Sequence, residues 1–300
     1  MTTDVPAHKP DALGPDPEAV LDRLRDVRGV VFDMDGTLVL GDRRNHRLAP
    51  LPGALALTSW LTARGLPWTV FTNGTTRTPE AYAGALRSIG FALDDTAVLT
   101  PATSAVDRLV AEGQRRVVVL GGDGLKEPLR RAGIEVLEPK GKPQADAVLT
   151  GWYREFTMDD LEAACHAVTQ GAALYSSSQS VHFASADGPV LGTSRILCAM
   201  IGSVTGVTEE VVGKPSRNAL GCAAARLGIA FHDLAVVGDD PELEMAMARR
   251  GGALAVAVRT GIHTGDGLDT LPPEQAPHLA VEGLPELLAL WRGACEGSIR

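Results

Sequence analysis

The chain has few cysteines, no excess of positive charge and no long apolar run, and each shortage removes a class of function. Only 4 of its 300 residues are cysteine. Cys165, Cys198, Cys222 and Cys295 are scattered too widely for the close pairs of a zinc site or a redox motif, so they read as free thiols in a reducing compartment. The formal net charge of −9 would repel the molecule from a nucleic-acid groove or an anionic membrane surface, so neither is expected as a partner. No stretch approaches the roughly 20 apolar residues of a membrane helix. The opening "MTTDVPAHKPDALGPDPEAV" lacks the basic head and apolar stretch of a secretion signal and reads as a flexible lead-in over residues 1–19. A cytoplasmic location is expected, and no internal repeat of fixed period is visible.

What is present suits a large buried core, with 45% hydrophobic and 22% charged residues. Apolar, β-branched runs such as "GVVFDM", "PWTVFT", "RRVVVLG", "ADAVLT", "AALYSS", "LAVVGD" and "ALAVAV" read as buried strands. They alternate with helical patterns such as "PEAYAGALRSIG", "MDDLEAACHAVTQG" and "SRNALGCAAARLGI". That alternation predicts an α/β fold of parallel sheets covered by helices. Thr78 and Pro79 mark one helix start and Gly90 its end, and Gly228 and Gly251 read as left-handed terminators of two others.

The reactive residues fall at strand ends. Asp33 and Asp35 follow "GVVF", Thr72, Asn73 and Gly74 follow "PWTVF", Lys214 follows "EEVVG", and Asp239 and Asp240 follow "LAVVG". Ligands of open parallel sheets bind beyond the carboxyl ends of the strands, so these four ends are expected to converge. Two carboxylates at one strand end need a positive or reactive partner. A carboxylate attacking phosphorus needs a cation to offset repulsion from the incoming phosphate, and magnesium suits that place. Asp33 then reads as the nucleophile and a metal ligand, Asp239 as a second metal ligand, and Asp35 as the acid and base for leaving group and water. Gly36 permits a sharp turn, and Thr37 supports it. The Thr72 hydroxyl, the amides of Asn73 and Gly74, and Lys214 read as the groups that bind the phosphoryl oxygens.

In this order "DMDGTL", "FTNG", "GKP" and "GDD" resemble the four motifs of the haloacid dehalogenase superfamily of phosphatases, over roughly Gly29 to Val258. More narrowly, "DMDGTLVLG", "VVVLGGDGLKEPLRRAGIEVLE" and "VVGKPSRNAL" are similar to the NagD-like branch, which includes p-nitrophenyl phosphatases and carries a large α/β cap. The resemblance implies a Rossmann-like, doubly wound parallel core over residues 20–100 and 206–290. A C2-type cap would occupy 101–205, with a tail over 291–300. It implies the roles just given for Asp33, Asp35, Thr72, Lys214 and Asp239, and adds the Asp35 backbone carbonyl as a magnesium ligand. It also implies possible dimerisation through the cap; "TSRILCAMIGSVTG" suits either the cap's own core or a second subunit.

The chain departs from the family pattern in its cap. Tyr153 stands where relatives often have aspartate, and "SSSQSVHF" stands in place of an Ala-Thr-Asn-x-Asp segment. Either Asp240 or Glu244 could hold metal-bound water. Arg43, Arg44, His46 and Arg47, in a long "GDRRNHRLAP" stretch, could meet an anionic substrate tail or be solvated. His182, Phe183, Trp152 and Tyr153 are candidates for pocket or core alike. Lys142 in a second "GKP" reads as a loop lysine, "GGDG" at Gly121 to Gly124 as a strand-to-helix turn, and Asp123, Asp159 and Asp160 as helix-start carboxylates. The expected function is magnesium-dependent hydrolysis of a small phosphorylated metabolite through an aspartyl-phosphate. The alternatives are phosphoryl transfer to an acceptor other than water, or a phosphometabolite-binding protein without turnover.

Overall fold

The computed structural model describes residues 17–41, 48–183, 188, 190–261 and 266–296. Its strands are β1 (Gly29–Phe32), β2 (Val39–Leu40), β3 (Ala49–Pro50), β4 (Trp68–Phe71), β5 (Val98–Leu99), β6 (Arg116–Leu120), β7 (Glu135–Leu137), β8 (Ala147–Thr150), β9 (Ala173–Ser176), β10 (His182–Phe183), β11 (Val190–Leu191), β12 (Glu210–Val211), β13 (Leu234–Gly238), β14 (Leu254–Val258) and β15 (Leu279–Val281). Its helices are α1 (Pro17–Asp26), α2 (Ala54–Ala63), α3 (Pro79–Ser88), α4 (Pro101–Ala111), α5 (Asp123–Arg131), α6 (Met158–Thr169), α7 (Ser194–Thr205), α8 (Arg217–Leu227), α9 (Ala246–Gly251) and α10 (Leu284–Glu296). No helix among the described residues is long and apolar enough to cross a membrane.

Two parallel sheets carry the fold. The first has the order β15-β14-β13-β1-β4-β5. From β1 the chain builds outward through β4 and β5 on one side, then returns to build β13, β14 and β15 on the other. The switch point therefore lies between β1 and β13, where a doubly wound sheet opens a crevice. Both faces are covered, so alternate residues of β1 enter different cores: Val30 and Phe32 pack with α2, α3 and α10, and Val31 packs with α8 and α9.

The second sheet has the order β12-β9-β8-β6-β7 and repeats the plan. Val117 and Val119 face α4 and α5, while Val118 and Leu120 face α6 and α7. Two short antiparallel pairs, β2-β3 and β10-β11, lie outside the sheets. Bonds between α4 and α8 tie the two layers together: Asn218 Nδ2 donates to the Ser104 carbonyl at 2.8 Å, and Cys222 Sγ donates to Asp107 at 2.9 Å.

Local signals mostly act as the sequence suggests. The Thr78 hydroxyl caps α3 with Pro79 in its first turn, and Thr157 and Asp160 form a reciprocal capping box on α6. Several readings need correction. Gly252, at φ 77°, is the left-handed residue after α9, and Gly251 is its last helical residue. The helix α1 begins at Pro17, inside the expected lead-in. The expected tail begins inside α10, which runs to Glu296 and buries Trp291 completely. The second sheet passes residue 205, because β12 pairs with β9. The apolar segment of α7 turns Leu197, Cys198 and Ile201 into the second core and leaves Val204 exposed.

Candidate active site

Three adjacent strands of the first sheet deliver the site's first residues. The Asp33 amide donates to the Val237 carbonyl at 2.9 Å and so extends the ladder by one residue before the chain turns. The amides of Leu38 and Val39 both donate to the Met34 carbonyl at 3.0 Å, and the Gly36 amide donates to Val39 at 2.8 Å. Buried Met34 and Leu38 anchor this compact turn. Gly36 sits at φ 88°, and a Cβ there would lie 2.6 Å from Asp239 Oδ2, so both backbone and space demand glycine. From the neighbouring strands come Thr72 and Asp239, both buried.

The lysine arrives from the other sheet. The Val212 amide donates to the Ser176 carbonyl at 2.9 Å, continuing the β12–β9 pairing to the residue before Gly213. A Cβ on Gly213 would lie 2.0 Å from the Ser177 carbonyl oxygen and 2.8 Å from Asn73 Oδ1, so only glycine lets the two segments pass. The Asn73 carboxamide then clasps the lysine backbone: Lys214 N donates to Asn73 Oδ1 at 3.0 Å, and Asn73 Nδ2 donates to the Lys214 carbonyl at 3.1 Å. The side chain of Asn73 is thus committed to holding Lys214, and the Gly74 amide donates to Thr72 Oγ1 at 3.0 Å.

The Lys214 ammonium is buried between two carboxylates, Asp33 Oδ1 and Glu244 Oε1, the latter at 2.7 Å. Burial alone would lower its pKa, but the charges of Asp33 and Glu244 outweigh burial and raise it, so the lysine stays protonated. Glu244 is pushed well above the usual carboxylate range, first by burial and then by Asp33, Asp240 and Asp239, against the pull of Lys214. The two motif-four acids therefore have different positions. Glu244 faces the lysine and accepts the Asp240 amide at 3.0 Å, whereas the Asp240 carboxylate accepts the Glu242 amide and caps the turn Pro241–Met245.

These groups open into a cavity of about 940 Å³ shared by both sheets, which Asp35 also lines. Of the cap candidates, Trp152 and His182 line it, while Tyr153 packs against the second core and donates its hydroxyl to Asp160 at 3.2 Å. The Phe183 side chain and Arg43, Arg44, His46 and Arg47 lie outside what is described. Lys142 is exposed in a loop, and "GGDG" is the turn between β6 and α5.

Residues not singled out from sequence also shape the site. Tyr82 lines the cavity, its hydroxyl bonded to Thr76 at 3.0 Å and its pKa pushed up to about 12 by burial. A Cβ on Gly74 would lie 2.3 Å from that hydroxyl oxygen. Beyond β14, the Thr260 hydroxyl donates to the Gly36 carbonyl at 2.5 Å, and a Cβ on Gly261 would lie 1.8 Å from Asp239 Oδ2. The strand-end rule that found Asp33 applies equally to this Thr-Gly pair.

The donor set suits a hard cation. Two glycines clear the space around the Asp239 carboxylate, and Asp33 is the other carboxylate. Among the described residues no three His, Cys, Asp or Glu side chains are grouped as a metal cage.

Two family models match the chain, one described as haloacid dehalogenase-like hydrolase over residues 30–135 and a related HAD-hydrolase-like model over 211–287. The chain belongs to the haloacid dehalogenase-like hydrolases. The two matches contain Asp33, Asp35, Thr72, Asn73, Lys214, Asp239 and Glu244, whereas Trp152 and His182 lie in the segment between them. An acid sugar phosphatase of Staphylococcus aureus is 26% identical over 242 residues, which cover 80% of this chain and 90% of that protein. A p-nitrophenyl phosphatase structure from Archaeoglobus fulgidus is 26% identical with a TM-score of 0.77, covering 88% of this chain and 99% of its own. A glycerol phosphate phosphatase from Mycobacterium tuberculosis, solved with calcium, is 25% identical with a TM-score of 0.76, covering 88% and 76% respectively; it has also been solved with magnesium. The HAD assignment and the parallel α/β fold agree with the sequence reading.

Proposed function

We propose that this hydrolase is a magnesium-dependent phosphatase that cleaves a small phosphomonoester through an aspartyl-phosphate on Asp33. The observation that carries the reading is the buried Asp33–Lys214–Glu244 chain, set beside Asp239 and Thr72 at one end of one cavity. The names of the relatives, all phosphatases, support it.

In this account an Asp33 carboxylate oxygen attacks phosphorus, and Lys214 offsets the charge of both partners. Asp35 protonates the departing oxygen, then takes a proton from the water that attacks the phosphoaspartate, so the same carboxyl group serves both half-reactions. Thr72 holds a phosphoryl oxygen. Asn73 acts through Lys214, keeping its backbone in place. Asp33, Asp239 and the Asp35 carbonyl would hold magnesium, which supplies charge neutralisation at the phosphoryl group when bound. The second sheet serves as a cap whose residues face the leaving group.

Phosphate release from a panel including p-nitrophenyl phosphate, with and without magnesium and beside Asp33→Asn, tests this. Magnesium-dependent release that disappears in a folded Asp33→Asn chain is expected. Release that persists in that variant would overturn the nucleophile.

A further inference from the structure

In the phosphatase reading the phosphoryl group would lie beside Lys214 and Thr72, leaving the rest of the cavity to read the leaving group. At first sight that part is rich in hydroxyls and suits a polyol. The hydroxyls, however, are already engaged. Thr75 Oγ1 accepts the Trp152 amide at 2.8 Å, and Thr193 Oγ1 donates to the Gly151 carbonyl and accepts the Tyr153 amide, both at 2.9 Å. Ser178 Oγ donates to Ser180 and accepts from Asn73, and Ser194 Oγ donates to the Thr150 carbonyl. These bonds build the wall and commit the O–H donors of Thr193, Ser178 and Ser194 to it, which leaves few hydroxyl donors, those of Thr75 and Ser180 among them, to recognise a sugar.

Arg154 differs. It lines the cavity, is exposed, and forms no hydrogen bond or ion pair among the described residues. Its guanidinium carbon lies 5.5 Å from the centroid of the Trp152 ring. The backbone that carries that ring is held on both sides, because Gly151–Tyr153 is bonded by Thr75 from the segment after β4 and by Thr193 at the start of α7. A guanidinium held over an aromatic face keeps its fork of donors pointed outward, in the geometry that matches a carboxylate or phosphoryl group. The exposed His182 lines the same cavity, as does the acid Glu155, the chain neighbour of Arg154.

We infer that Arg154, held against Trp152, is a subsite for a second anionic group on the leaving portion of the substrate, a carboxylate or another phosphoryl group. This rests on the phosphatase reading above. The substrate class is then a phosphomonoester with an anion at each end, clamped between Lys214 and Arg154.

Matched pairs of compounds test it: 3-phosphoglycerate against glycerol 3-phosphate for a carboxylate, and fructose 1,6-bisphosphate against fructose 6-phosphate for a phosphoryl group. In the wild type the anionic member of at least one pair is expected to have the higher kcat/KM, and the pair that shows it identifies the group. Arg154→Ala should reduce that ratio about 10- to 100-fold, the range for a charge-assisted hydrogen bond, and Arg154→Lys should restore part of it. No preference in either pair, or equal losses on both members in Arg154→Ala, would overturn the subsite. If no compound, p-nitrophenyl phosphate included, releases phosphate, the phosphatase reading has failed separately. Calorimetric binding of the same four compounds to wild type and Arg154→Ala then decides, with tighter binding of an anionic member lost in the variant as expected and unchanged affinities overturning the proposal.

Discussion

The two parallel sheets follow one plan and end very differently. In the first, β1, β4 and β13 run into Asp33, Thr72 and Asp239, each buried at the switch point. In the second, β6, β8 and β9 run into Gly121, Gly151 and Ser177, and the turn acid Asp123 is exposed. Strand ends therefore mark where a ligand can sit, and the residue types there decide whether chemistry follows. The second sheet still contributes the cation. Its edge strand β12 leads to Lys214, so Asp33, the proposed nucleophile, and the ammonium paired with it come from different sheets.

That division can be broken at four places, in falling order of effect. Lys214→Met removes the cation and leaves Asp33 and Glu244 facing each other in a buried site. Turnover should fall by about 10³-fold, the upper range for losing an electrostatic stabiliser. A loss below tenfold, with magnesium saturating, would show that Lys214 is structural only. Gly213→Ala strikes the crossing between sheets, since its Cβ would overlap the Ser177 carbonyl. A shift of the lysine by about 1 Å should lower kcat about 10²-fold, and unchanged kcat would mean that the crossing has slack.

Gly36→Ala acts within the first sheet alone. It crowds the Asp239 carboxylate and strains a left-handed turn, so the magnesium concentration for half-maximal rate should rise about 10- to 100-fold. An unchanged magnesium requirement would separate Asp239 from the metal.

The smallest effect separates fold from chemistry. His278 lies beside β14, far along the chain from the motifs, with Arg249 Nη1 2.9 Å from its Nε2 and the Ala255 amide donating to its Nδ1 at 2.9 Å. Burial, then Arg249 and Arg23, lower its pKa to about 4 from an ordinary 6.5. The unfolded chain thus binds the proton more readily. The stability that neutral His278 contributes is whole above about pH 6.5 and is lost as pH falls toward about 4. Denaturant unfolding between those limits should show a smaller pH slope in His278→Gln, and an identical slope would remove the histidine from the account.

Much of this was legible in the sequence because it is local. Asp33, Asp35 and Gly36 lie within one turn, and the apolar runs before Thr72 and Asp239 announce buried strands. What escaped depends on contacts between distant residues. The clasp of Asn73 on Lys214 joins residues 141 apart, and nothing around "FTNG" signals that its carboxamide is already engaged. The two residues of β12 are too few for a period, so its segment reads as part of the first sheet through its proximity to "GKP". Tyr153 and Trp152 are neighbours of similar type, and only packing sends one to the core and the other to the cavity. In α10, Trp291 belongs to the buried stripe continuing from Leu287 and Leu288, which placed a core helix where a tail was expected.

The central claim, that Asp33 carries the phosphoryl group, is tested most directly by trapping the intermediate. The enzyme is quenched during turnover, treated with borohydride to reduce any acyl phosphate, and mapped by mass spectrometry. Conversion of Asp33, and of no other aspartate, to the reduced homoserine form is expected in the presence of substrate. Turnover with Asp33 unmodified and a different residue reduced would contradict it.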